Sequence, residues 1–392
     1  MPVVEKIGRR NCIPILYTRG THYEVGFDVG RTFSGIIKSF LETSGPLNDT
    51  YLPLYETDAG RRVYDATLAS VRENFPQYVE EIEGTADGAK VPFHKLFLLH
   101  MDDITPNVVH RKSAVEGTVG CSSVCCNQKN EVVLGHTEDA LSEVLNHIYF
   151  VSAHIISDKP RGRWAIKEEK FTSLCYAGHL PGFTMSYNNH GLVYSINVVS
   201  AKTLSAGKTP RFFLTRALLG TRNLEEAQSV LRDRGVGAAD GFSVNMTFLN
   251  QEGNRLFHNA EVGPNQEGNP ESAVNILTCS QGEFLFHCNK YLRLDVPEVI
   301  GMMIDSSDRR QEVMDKLGAV KSKRDVISLL GDQTGGKPND GAHPIFRDEE
   351  DGRVKTVAVG IFDLEAKTWS IYTDNPKKSD PIVVLPLDIR NK

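Results

Sequence analysis

No stretch of this sequence stays apolar for anything near the roughly 20 residues that a membrane-spanning helix requires. The first ten residues, Met-Pro-Val-Val-Glu-Lys-Ile-Gly-Arg-Arg, are polar where a secretory signal would hold its apolar core, so a cytoplasmic protein with no membrane partner is expected. Charge of one sign is lacking too. Lys and Arg number 44 against 50 Asp and Glu, mixed along the chain for a net charge of −6. A nucleic-acid partner would need a clustered basic face, so none is expected. Cysteine is sparse: seven residues (12, 121, 125, 126, 175, 279, 288), an odd number at irregular spacing. A chain of 392 residues can bury a substantial core and needs no disulfide staples. Cys121-x3-Cys125-Cys126 is followed by no Cys/His pair at zinc-like spacing, so no metal is expected. Cys125, Cys126, Cys175 and Cys279 read instead as small buried residues of strands. Gly26 and Gly30 lack the strand-turn-helix setting and Lys-Ser/Thr ending of a phosphate loop, and no cofactor is expected. Repeats and low-complexity tracts are absent.

The sequence does hold a helical first part and a β-rich second part. Thr21 and Glu24 form a capping-box pattern opening a segment in which Phe33, Ile36, Ile37, Phe40 and Leu41 keep a helical rhythm. Gly26 and Gly30 share one face of it, which suits close helix packing. Further helices are expected over about 61–75, stopping at Pro76, and 92–104. Residues 106–120 lose periodicity and read as a linker. Strands are expected at 122–127 and 132–136, flanking a turn at Gln128-Lys-Asn130, then at 148–155, 171–176, 191–199, 242–250, 255–261 and 275–279. Helices at about 211–219, 224–232, 309–317 and 323–330 precede strands at 354–364 and 368–372. This order fits an α+β layered fold, two packed sheets covered by helices.

Gly120-Cys121 stands where the linker enters the first of those strands. Amide hydrolysis needs a nucleophile, a base and an oxyanion site. A cysteine at a chain terminus supplies two of these, because its own α-amine titrates near pH 7.7–8.0 and serves as base. The amine must first be released, by attack of the thiol on the preceding carbonyl. Glycine, lacking a Cβ, does not crowd that carbonyl. Locally, the dipeptide reads more readily as a turn glycine before a buried strand cysteine.

Gly120-Cys-Ser-Ser followed by Leu134-Gly-His-Thr-Glu-Asp139 resembles the acyl-coenzyme A:6-aminopenicillanate acyltransferase family of N-terminal nucleophile hydrolases. The likeness continues through Asn188-Asn-His-Gly-Leu192, Asn197, Asn245 and Asp305-Ser-Ser-Asp-Arg309. It implies an αββα four-layer sandwich and self-cleavage between Gly120 and Cys121. Residues 1–120 and 121–392 would then remain as a heterodimer forming one globular unit. Within the family, Tyr17–Arg31 and Phe93–His100 resemble hydrolases of N-β-alanyl amines, which implies β-alanyl-dopamine and carcinine as substrates, split to β-alanine plus dopamine or histamine.

By the same resemblance Cys121 is the nucleophile, Asp139 orients its amine and Asn245 donates to the oxyanion. Asn197 is a second candidate donor, and Ser306 and Arg309 are candidate site residues. Thr137 departs from the family's usual Asn. The β-alanyl ammonium needs an acidic partner, and Glu138, Asp305 and Asp308 all remain open. His100, His136, His190 and His287 read as structural. An acyltransferase of the same fold and an unprocessed, non-catalytic binding protein are the competing readings.

Overall fold

The computed structural model describes residues 8–110, 120–251, 253, 255–265, 268–334, 344–349 and 353–389. The chain opens with an unanticipated strand, β1 (Ile15–Gly20), and continues through helices α1 (His22–Thr32), α2 (Ser34–Thr43), α3 (Leu52–Tyr55), α4 (Asp58–Asn74), α5 (Pro76–Ala89), α6 (Phe93–Leu99) and α7 (Ile104–His110). Strands β2 (Ser122–Asn127), β3 (Val132–Leu141), β4 (Ile148–Ile156), β5 (Glu168–Tyr176), β6 (Met185–Asn188) and β7 (Leu192–Val199) follow, then α8 (Arg211–Leu218) and α9 (Leu224–Arg232). Next come β8 (Gly241–Phe248), β9 (Phe257–Gly263), β10 (Ala273–Cys279), β11 (Glu283–His287), α10 (Met302–Leu317), α11 (Lys323–Leu330), β12 (Val354–Asp363), β13 (Thr368–Tyr372) and β14 (Val383–Pro386).

Part of the expected linker is therefore helix: residues 106–110 belong to α7, while 111–119 lie outside the described residues. Pro76 does end α4, but it also occupies the first turn of α5, where its missing N–H costs nothing. The expected helix at 92–104 breaks at His100 into α6 and α7.

The strands form two sheets. One runs β1-β4-β5-β6-β7-β8-β9-β10, antiparallel except for the parallel β1/β4 pair; the other runs β11-β2-β3-β12-β13-β14. Adjacent residues of β4 show the layering, because side chains alternate along a strand. Tyr149 stacks on Phe33 just before α2 at 4.0 Å between ring centroids, while Phe150 meets Trp369 of the second sheet edge-on at 5.2 Å. Trp369 in turn stacks on Phe362. On the far side of the second sheet α11 lies so close to β3 that a Cβ on Gly135 would overlap Val326 and Leu330. The order is helix, sheet, sheet, helix, an αββα sandwich.

The capping box at Thr21 and Glu24 forms as the sequence indicates. Gly26 and Gly30 of α1 face the backbone of α5 so closely that a Cβ on either would overlap a carbonyl oxygen, that of Glu81 or Thr85. Gly84 and Gly88 of α5 are seated against α1 in the same way.

Candidate active site

β2 and β3 form the hairpin anticipated from the sequence, with Ser122 opposite Thr137 and Ser123 opposite His136. Alternation along β2 sends Cys121, Ser123 and Cys125 toward the space between the sheets, and Ser122, Val124 and Cys126 toward α10 and α11. On β3 the same rule sends His136, Glu138 and Ala140 inward between the sheets. Thr137 and Asp139 face the other way. Two acidic residues adjacent in sequence therefore reach Cys121 from opposite faces of one strand.

On the inner face, Cys121 Sγ lies 3.8 Å from Glu138 Oε1. The same oxygen accepts a hydrogen bond from the Tyr176 hydroxyl, and Glu138 Oε2 lies 3.0 Å from His136 Nε2. His136 Nδ1 is 2.8 Å from Ser123 Oγ. His136 thus stands at the site, although the sequence alone suggests a purely structural role for it. The sulfur, a ring nitrogen of His136 and a carboxylate oxygen of Glu138 lie within 4.8 Å of one another, close enough to converge on a cation.

On the outer face, the backbone of Cys121 is held at both ends. Its N–H donates to Asn289 Oδ1 at 2.7 Å, and its carbonyl accepts from Arg310 Nη1 at 2.5 Å. Arg310 also donates to Ser122 Oγ, Asn289 Oδ1 and Ser306 Oγ, and Arg347 donates to Ser306 Oγ at 2.5 Å. Asp139 Oδ1 accepts from Thr356 Oγ1 at 2.6 Å. Its Oδ2 is buried without a hydrogen-bond donor, 3.7 Å from Arg347 Nε.

Burial, followed by the nearby Glu138 and Asp139 carboxylates, pushes the Cys121 thiol well above its usual range; the Asp139 backbone and Arg310 only partly oppose this. In the uncleaved chain the sulfur is therefore protonated at neutral pH. Burial also raises Asp139, against the pull of Arg347 and Arg310.

The candidates from sequence divide accordingly. Cys121, Asp139, Asn197 and Ser306 lie in or beside this network. Arg309 does not: α10 begins at Met302, so residue 309 falls in mid-helix, where its side chain is exposed and pairs with Glu312. The next residue, Arg310, is buried and faces Cys121. Asn245 belongs to a polar seam between the sheets. Its amide donates to Asn197 Oδ1 at 2.7 Å, and its Oδ1 accepts from Asn259 at 2.8 Å. Ser123 joins the seam by donating to Asn197 at 2.9 Å. Asn245 makes no hydrogen bond to Cys121 among the described residues, whereas Asn289 does. Asp305 and Asp308 are exposed, the latter paired with Lys290. Asn289, Arg310 and Arg347 carry no motif in the sequence; only the positions of the loop after β11, of α10 and of the segment before β12 bring them to the hairpin.

Beyond Tyr176 lies a cavity walled by Phe40, Tyr51, Phe183 and Phe212, with Asp102 and Arg211 among its polar lining. Phe183 and Phe212 pack with their rings tilted by 33° and centroids 4.1 Å apart. No helix among the described residues is long and apolar enough to cross a membrane.

Residues 126–378 match the family model described as acyl-coenzyme A:6-aminopenicillanic acid acyl-transferase, a match that begins just after Cys121. The chain is 53% identical over 382 residues to the Beta-alanyl-dopamine/carcinine hydrolase of Drosophila melanogaster, covering 97% of each protein. Among solved structures, it is slightly similar to a mutant of a conjugated bile acid hydrolase from Clostridium perfringens. That likeness has 12% identity and a TM-score of 0.36 over 70% of this chain and 99% of that one. A second variant of the same hydrolase gives 12% and 0.35, over 68% and 94%. With the matched residues covering well over half its length, and a relative aligned almost end to end, the chain belongs to the acyl-coenzyme A:6-aminopenicillanic acid acyltransferase family.

Proposed function

We propose that Cys121 first cleaves its own chain and then hydrolyses N-β-alanyl amines, β-alanyl-dopamine and carcinine among them. The chemistry rests on one observation above all: Cys121 immediately precedes β2, with its N–H and C=O each gripped by a buried side chain, Asn289 and Arg310.

In the first reaction Cys121 Sγ attacks the Gly120 carbonyl carbon. The peptide nitrogen leaves as the α-amine of Cys121, taking up the thiol proton, and Gly120 becomes a thioester. Water hydrolyses the thioester, which yields a Gly120 carboxylate and restores the thiol. Two fragments result, residues 1–120 and 121–392. In the second reaction the new amine draws the proton from the sulfur, which attacks the substrate amide; the amine product departs with that proton, and water releases β-alanine. Asp139, with an oxygen still open to a donor, suits the new α-ammonium. Asn289 and Arg310 then hold the Cys121 backbone while its side chain reacts, a fixed geometry of the kind that lowers the barrier of such reactions. Asn289 acts here as an acceptor for the Cys121 N–H, a different role from the oxyanion donation that the family resemblance assigns to Asn245.

The substrate class follows from the full-length likeness to the Drosophila hydrolase. It agrees with the cavity, since dopamine and histamine each carry a flat ring and the walls beyond Tyr176 are aromatic. The test is release of free β-alanine and amine from β-alanyl-dopamine and carcinine. Wild type should turn over at least one of them and Cys121→Ala neither. A purified, folded wild type that releases β-alanine from neither substrate would refute the assignment.

A further inference from the structure

Seven carboxylates among the described residues are exposed by 2% or less: Glu81, Glu138, Asp139, Glu169, Asp233, Asp240 and Glu261. Six have an arginine nitrogen within 4 Å: Arg216 for Glu81 and Glu169, and Arg347, Arg163, Arg211 and Arg293 for the rest in order. Glu138 is the exception. Its partners among the described residues are the Cys121 thiol, the Tyr176 hydroxyl and the His136 ring. A buried carboxylate is costly unless a cation or several donors compensate it, and every comparable group here has received an arginine. The one without it is the carboxylate beside the reacting sulfur.

We infer that Glu138 is the residue that recognises the substrate's acyl group, by receiving its terminal ammonium. This rests on the reading of Cys121 as the nucleophile toward β-alanyl amides. Reach supports it. In a β-alanyl thioester four bonds separate the sulfur from the amine nitrogen, so the ammonium lies within about 5 Å of Sγ at full extension. Glu138 Oε1, 3.8 Å from Sγ, lies inside that radius plus one hydrogen bond. Acylation also consumes the S–H that points at Oε1, freeing a lone pair where the ammonium arrives. Tyr176 and His136 hold the carboxylate from its other sides, so it is positioned before substrate enters. The exposed Asp305 and Asp308, open candidates on sequence alone, have no such placement.

The experiment compares kcat/KM for the β-alanyl and butanoyl amides of one amine, since butanoyl replaces the ammonium with a methyl group at equal length. Wild type should favour β-alanyl strongly. Glu138→Gln, which keeps the shape, should lose that preference by about 10- to 100-fold, the usual worth of a hydrogen bond between charged groups. An equal slowing of both substrates would overturn the inference and leave Glu138 as a positioning residue for Cys121. Should Glu138→Gln fail to mature, Glu138→Asp retains the charge and withdraws it by about one methylene, roughly 1.5 Å. Its preference should then move from β-alanyl toward γ-aminobutanoyl amides; an unchanged order overturns the inference. A wild type inactive on both amides removes the reading beneath it, whereas one equally active on both removes the recognition alone.

Discussion

At the scale of single residues, the neighbours of Cys121 are decided by strand alternation. Glu138 and Asp139 are consecutive, so one faces the space between the sheets and the other faces α10, and each meets a different part of the nucleophile. Gly120 is constrained by the same crowding. A Cβ there would lie 2.9 Å from Arg310 Nη2 and 3.2 Å from Arg347 Nη2. Arginine tips are ordinarily free to yield, but Arg310 is tied to Cys121, Ser122, Asn289 and Ser306. Gly120→Ala should therefore displace the Gly120 carbonyl from the geometry in which Cys121 Sγ attacks it. Overpacking of this kind typically costs about 1–3 kcal/mol, so self-cleavage is expected to slow by about 10-fold or more. A time course of fragment appearance reads this directly, and cleavage at the wild-type rate would contradict it. Cys121 and Asp139 are legible in the sequence, since a motif carries both at a fixed spacing along one hairpin. The arginine is displaced from its motif by a single position. A Ser-x-x-Arg pattern points to Arg309, but at 3.6 residues per turn a shift of one moves a side chain by about 100°, and the buried face of α10 belongs to Arg310. Asn289 sits in the loop after β11 and has no periodicity to announce it.

Among the elements, most helices and most strands are readable from the sequence, and a few short or edge elements are not. β6 and β14 have four residues each, too few for a repeating pattern. β1 alternates, but it precedes the helices and pairs with β4, more than a hundred positions on. α5 is hidden by Pro76, which reads as a stop for one helix and is equally a start for the next. The break between α6 and α7 has a specific cause. His100 is fully buried, with Nδ1 donating to Leu96 O at 2.7 Å and Nε2 accepting from Leu180 N–H at 2.9 Å. Both bonds together require the neutral ring, and burial, with His179 nearby, pushes its pKa down to about 3. The unfolded chain takes up this proton near 6.5 and the folded chain only near 3, so acid favours unfolding throughout that interval. This single group should cost the fold about 2 kcal/mol between pH 7 and pH 5. His100→Gln can make the same two bonds without titrating. Its stability, measured by urea unfolding, should fall less than that of wild type over the same range. Parallel losses in the two proteins would refute the role given to His100.

For the whole molecule, the proposed cut at Gly120-Cys121 does not follow a structural boundary. β1 lies before it and pairs along its full length with β4, which lies after it. The main core also draws on both sides, from Val25 and Phe97 to Phe150 and Trp369. Hydrophobic periodicity separates a helical from a β-rich part of the chain, but it does not reveal how far the first part is built into the second. Pairing of β1 with β4 depends on contacts that no local pattern encodes. Cleavage should thus leave one particle whose fragments separate only in denaturant. The decisive measurement is intact-mass spectrometry of the purified protein, denatured and compared with Cys121→Ala. Two wild-type fragments are expected, the second beginning at Cys121, and a single full-length chain for the variant. A wild type that remains one uncleaved chain while releasing β-alanine would refute self-cleavage as the source of the catalytic amine.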